Sequence, residues 1–115
     1  MPAVKPITSF AEFQQILESD RISLIDFWAT WCGPWHVAPT RSRAISPVFE
    51  QLAAEAPPTL DFYSVDVDAQ EQIAAECGIR AMPTFMVFRG GDKIGDLTGA
   101  APDKLKELVA KHSVA

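Results

Sequence analysis

No stretch of this 115-residue chain approaches the roughly 18–20 consecutive apolar residues that a membrane-spanning helix needs, so no membrane span is expected. Cysteine is nearly absent. Only Cys32 and Cys77 occur, far apart, which excludes a disulfide framework and a cysteine-based zinc site. His36 has no second metal-ligating group at a useful spacing, and no metal or other cofactor is expected. Asp61, Asp66 and Asp68 do not have the spacing of a calcium loop. Positive charge is in short supply: ten Lys and Arg face fifteen Asp and Glu, a formal net charge of −5. An acidic surface repels phosphate and argues against a nucleic-acid partner. No repeat, linker or low-complexity segment interrupts the chain. Met1–Pro6 has no apolar core of a secretory leader. With so few cysteines, a reducing, cytoplasmic setting is the expectation.

What remains is 48% hydrophobic, enough for one buried core, and a single domain over 1–115 is expected. Residues Val4 to Thr8 suit a short edge strand, because prolines flank and enter it. Ser9 with Glu12 three later reads as a capping box opening a helix that ends near Ser19, with Phe10, Phe13, Ile16 and Leu17 on one face. Ile22 to Trp28 is almost continuously apolar, as in a strand covered on both sides, and Asp26 is its one interruption. Ser42 to Ala56 reads as a helix with Pro47 inside it, and Pro57-Pro58 ends it. A strand over Leu60 to Val67 follows. Asp68 with Glu71 suggests a second capping box, and Gly78 a helix stop after Ile73, Ala74 and Cys77. Thr84 to Phe88 and Lys93 to Thr98 form a hairpin, and Pro102 opens a last helix. The order β-α-β-α-β-α-β-β-α implies an α/β fold, a mixed sheet with helices on both faces.

Four motifs in this order carry a specific resemblance. They are Ile25-Asp26-Phe27-Trp28-Ala29-Thr30-Trp31-Cys32-Gly33-Pro34, Phe62-Tyr63-Ser64-Val65-Asp66-Val67-Asp68, Gly78-Ile79-Arg80-Ala81-Met82-Pro83-Thr84-Phe85 and Gly99-Ala100. The sequence resembles thioredoxins, most closely fungal and other eukaryotic cytosolic ones, over nearly the whole chain. The resemblance implies a thioredoxin fold. It implies Cys32 as the nucleophilic thiol, Asp26 as a buried carboxylate relaying protons near it, and Pro83 as a cis-proline facing it. Trp31, Gly33, Pro34, Met82, Pro83, Gly99 and Ala100 would form the substrate-docking surface. Burial would disfavour the charged form of Asp26. Ser64 stands where the family often has Lys, which weakens the expected proton relay.

The resemblance fails at one place. The family continues Cys-Gly-Pro-Cys into its helix, whereas here Pro34 is followed by Trp35-His36-Val37-Ala38-Pro39-Thr40-Arg41. Anchored on the left, Trp35 replaces the second cysteine. Anchored on the right, Ser42 replaces it and Pro47 falls on the family's kink position. The right anchor also matches Val48-Phe49-Glu50-Gln51-Leu52 and is preferred, so residues 35–41 are an insert of seven. Pro39 would interrupt a helical extension, so a protruding loop is expected, with Pro39 or Ser42 near the helix start and Ser42 suited to cap it.

The expected function is therefore thiol–disulfide exchange in a monothiol form. Cys32 would form mixed disulfides with protein thiols, and an external thiol, from glutathione or thioredoxin reductase, would resolve them. Serine is too poor a nucleophile to do so without an adjacent base. Cys77 reads as a small buried hydrophobe rather than a second active thiol. A different reading is a redox-silent binding module that uses residues 35–41. A third is an engineered or splice variant of an ordinary disulfide reductase. The resting form would be a monomer, a Cys32-linked dimer or a swapped dimer.

Overall fold

The computed structural model describes residues 4–28, 38–79, 83–99 and 101–113, with no side-chain description for 38–46. The elements are β1 (Val4–Pro6), α1 (Phe10–Glu18), β2 (Ile22–Trp28), α2 (Ala38–Glu55), β3 (Leu60–Asp66), α3 (Glu71–Cys77), β4 (Thr84–Arg89), β5 (Asp92–Thr98) and α4 (Pro102–Ser113). This is the expected order. The strands make one sheet in the order β1-β3-β2-β4-β5. β1 and β3 pair parallel, as do β3 and β2, whereas β4 runs antiparallel to both β2 and β5.

The near-continuous apolar run of β2 follows from its central place. Alternate residues feed two separate clusters. Leu24 joins Phe49, Phe62, Phe85, Val87, Leu105 and Val109 on the face covered by α2 and α4. Ile25 and Phe27 join Phe13, Val65, Ile73, Met86 and Phe88 on the face covered by α1 and α3. Phe49 of α2 is the hub of the first cluster, its ring 5.3 Å from that of Phe62 and 5.4 Å from that of Phe85.

Helix starts show where local chemistry competes. The Ser9 hydroxyl caps α1 by accepting from the Glu12 N–H at 3.1 Å. The return arm of the box closes one residue further out, with Glu12 Oε1 accepting from the Thr8 N–H at 2.7 Å. The second expected capping box does not form. The N-cap of α3 is Gln70, without a side-chain cap bond. Asp66 has already taken the nearby donors, its Oδ1 accepting from the N–H groups of Asp68 and Ala69. That Asx turn ends β3 and leaves Asp68 outside the helix.

α2 begins at Ala38, so Pro39 lies near its start, one of the two starts expected, while Ser42 is its fifth residue and not its cap, and residues 38–41 of the insert are helical rather than loop. The reason lies in Pro39. A proline disrupts a helix interior, but in the first turn its missing N–H has no helical partner to lose. Pro47 remains inside α2.

In the hairpin, Gly90 and Gly91 both have positive φ, 59° and 87°, which fits a two-residue primed turn. The register shifts between Val87 and Phe88: Val87 opposes Gly95 and Phe88 opposes Lys93. Ile94 is therefore the extra residue of a bulge. The bulge puts Lys93 and Asp96 on one face, where they form an ion pair at 2.9 Å.

Candidate functional site at the carboxyl end of the sheet

Three strand ends meet at one pole of the sheet. β2 ends at Trp28, in register with Asp66 at the end of β3. The Val67 N–H donates to the Trp28 carbonyl at 2.9 Å, continuing that pairing past both strands. β4 starts beside them, Thr84 opposing Phe27 of β2 and Thr98 of β5. The Gly99 N–H donates to the Pro83 carbonyl at 2.9 Å. Trp28, Pro83 and Gly99 thus share the carboxyl end of the parallel strands, the usual place for a site in an open α/β sheet. Residues 29–37, which include Cys32, connect this pole to Ala38 of α2.

Asp26 lies two residues inside the pole. It is 3% exposed, opposite Ser64 on β3 and Phe85 on β4, and on the same sheet face as Leu24, toward α2. No lysine stands across from it, because Ser64 occupies the facing position. Pro83 is fully buried. Gly99 has φ of +113°, where a side chain is strained, although a Cβ there would meet open space. Its glycine is therefore a backbone requirement rather than a packing one. Thr84, 5% exposed, was not singled out from sequence. Its signal was that it is the one polar residue in the apolar run through Phe88.

The remaining expected site residues, Trp31, Cys32, Gly33, Pro34, Met82 and Ala100, lie outside the described residues, as do Trp35 and His36. Ser42 is placed only by its backbone, two helical turns before Phe49 on the same side of α2.

A family model described as Thioredoxin matches residues 4–111. A thioredoxin of Malassezia sympodialis is 47% identical over 111 residues, 96% of this chain and 99% of its own length. Thioredoxin-1 of Schizosaccharomyces pombe is 41% identical, over 92% of this chain and 95% of its own. The crystal structure of the Malassezia sympodialis thioredoxin superposes with a TM-score of 0.85 at 44% identity, covering 99% of this chain and 94% of that one.

The chain belongs to the thioredoxin family.

Thioredoxin-family redox chemistry turns on thiols, and the second thiol of this chain is badly placed for it. Cys77 is half-buried at the end of α3 and packs on the cluster of Phe13, Ile73 and Phe88. Burial, then the neighbouring Glu76, pushes its thiol up to about 11 against a smaller opposing effect of Lys93. Lys93 opposes Phe88, at the hairpin end of β4 and away from Pro83. At pH 8 its alkylation in the folded chain is expected to run about a hundredfold slower than in the unfolded chain, from the thiolate fractions alone. Peptide mass spectrometry with and without guanidinium measures that ratio, and a ratio near one would contradict the burial.

The aspartates do not assemble a metal site. Asp61 is held by Arg21, Nε to Oδ2 at 2.5 Å and Nη2 to Oδ1 at 3.0 Å, and Asp66 is committed to its turn. Among the described residues no group of three or more His, Cys, Asp or Glu could hold a metal ion. Among the same residues no helix is long and apolar enough to cross a membrane.

Proposed function

We propose that this thioredoxin-family protein performs thiol–disulfide exchange as a monothiol. Cys32 as thiolate attacks one sulfur of a protein disulfide, forms a mixed disulfide with it, and releases the other sulfur as thiolate. An external thiolate of the glutathione class then attacks the Cys32 sulfur, frees the substrate sulfur as thiolate and leaves Cys32 disulfide-bonded to the external thiol, and a second external thiol reduces that bond to regenerate Cys32. Asp26 is the group that exchanges protons with the departing and attacking sulfurs. Trp31, Gly33, Pro34, Met82, Pro83, Gly99 and Ala100 dock the substrate. The observation that carries the reading is the thiol inventory: Cys32 and Cys77 are the only cysteines, and Cys77 is half-buried with its thiol pushed up to about 11. A reducing cytoplasm, which supplies external thiols, is the compartment that suits this chemistry.

A second reading draws on the insert. Residues 38–41 form the start of α2, which suits a binding module that uses residues 35–41 without redox activity. Insulin reduction separates the two. With thioredoxin reductase alone, turnover is expected at background. With added glutathione, a Cys32–glutathione adduct and measurable turnover are expected, both lost in Cys32→Ser. Full turnover without an external thiol would overturn the monothiol reading. No adduct at any glutathione ratio would favour the binding module.

A further inference from the structure

The inward stripe of α4 runs Leu105, Leu108, Val109 and then His112, the i, i+3, i+4, i+7 spacing of one helix face. The last member is an imidazole. Its Nε2 is fully buried and has no hydrogen-bond partner. It fits because β5 has no side chain beneath it. A Cβ on Gly95 would stand 3.0 Å from His112 Nε2, 3.3 Å from Leu108 Cδ1 and 3.6 Å from Val87 Cγ2. Glycine here has no positive φ to explain it; it is a close-approach position.

We propose that His112 and Gly95 form a proton-sensitive latch, which holds the last turn of α4 on β5 while the imidazole is neutral and releases it on protonation. Among the described residues no carboxylate acts on the ring. Gly95 of β5 lies beside it, and the nearest β4 atom to that glycine's Cβ position belongs to Val87. Lys93 and Asp96 of β5 lie on the opposite face, paired with each other, because of the bulge at Ile94. Glu55 of α2 lies near Lys106, by the groove that α2 and α4 share. On α4 itself the neighbour is Lys111, a like charge. An unpaired charge in such a slot costs more than exposing the ring to water.

The direction of titration agrees. Burial first, and Lys111 second, hold the His112 imidazole below its ordinary value. The undocked form then binds more protons between the two midpoints. Docking is therefore strongest above about pH 6.5 and is lost as pH falls toward the docked midpoint, by at most tenfold per pH unit for one proton. The helix C-terminus alone would act the other way, since it favours a cation.

The test is NMR on the full chain between pH 7.5 and 5. The His112 ring resonance is expected to titrate below 6.5. Over the same range, amide protection factors of Leu108–Ser113 and of Gly95 are expected to fall while those of β2 hold. His112→Leu is expected to abolish that fall. An equal fall in His112→Leu, or a wild-type ring midpoint at or above 6.5, would overturn the latch. Gly95→Leu gives an independent arm: a Cβ alone would already stand 3.0 Å from Nε2, so the longer side chain fills the ring's slot at every pH and should raise the midpoint to the ordinary value. An unchanged midpoint there would also overturn it. If His112→Leu does not fold, the wild-type midpoint and the Gly95→Leu arm decide.

Discussion

Phe49→Ala is expected to cost about 3–5 kcal/mol, a large stability loss for a single truncation. Phe49 is 1% exposed and touches strands on both sides of the sheet centre, Phe62 on β3 and Phe85 on β4. It is the residue through which α2 is fastened to the sheet. Removing the ring leaves a cavity bounded by parts that cannot close on it, since Leu24 and Val87 belong to the sheet and Leu105 and Val109 to α4. For a chain of this length the loss corresponds to a melting temperature lower by roughly 12–20 °C. Urea unfolding checks it: the midpoint should fall with the slope unchanged. A loss below about 1 kcal/mol would mean that α2 does not depend on this contact.

Excising residues 35–41 and changing Ser42→Cys in the same chain is expected to restore insulin reduction without an external thiol. The gain should be at least about hundredfold, because an intramolecular thiol replaces a bimolecular step. The junction then reads Cys32-Gly33-Pro34 followed directly by the new thiol, with Pro47 still five residues on. Ser42→Cys with the insert retained is expected to give no such gain. Only residues 38–41 of the insert are described as helix, and the new thiol stands seven residues further from Pro34 along the chain. Equal activity in both variants would show that spacing is not what limits turnover. Inactivity in both would point to an unactivated Cys32 and strengthen the binding-module reading.

The fold could be read from the sequence wherever pattern and punctuation agreed. The run Ile22 to Trp28 announced a central strand, Ser9 with Glu12 a helix start, Gly78 a stop and Pro102 another start. The misreadings came from groups that compete for the same donors. Asp68 and Asp66 are equally good turn acceptors, and only the strand end decided that Asp66 would act. Pro39 is a breaker or an opener according to where the helix begins, which its neighbours do not announce. The bulge at Ile94 is invisible because one extra residue leaves the composition of the hairpin unchanged. The partnership of His112 with Gly95 is set by how α4 lies on β5, and no local pattern encodes it. At the candidate site, Asp26, Pro83 and Gly99 were named through their resemblance to the family's motifs, and no local pattern by itself assigns them a role. Thr84 was missed because it sits quietly at a strand start.

The pairing of β2 has a consequence for how the chain is made. Its two neighbours are β3, some 38 positions later, and β4, which lies later still and runs antiparallel to it. While the chain is emerging from a ribosome, β2 therefore has no partner through the whole synthesis of α2. It keeps one open edge until residues 84–88 have appeared. Contacts of that separation are closed late and slowly. The nascent half-chain presents its most apolar strand to the surroundings, and the step that hides it waits for the hairpin.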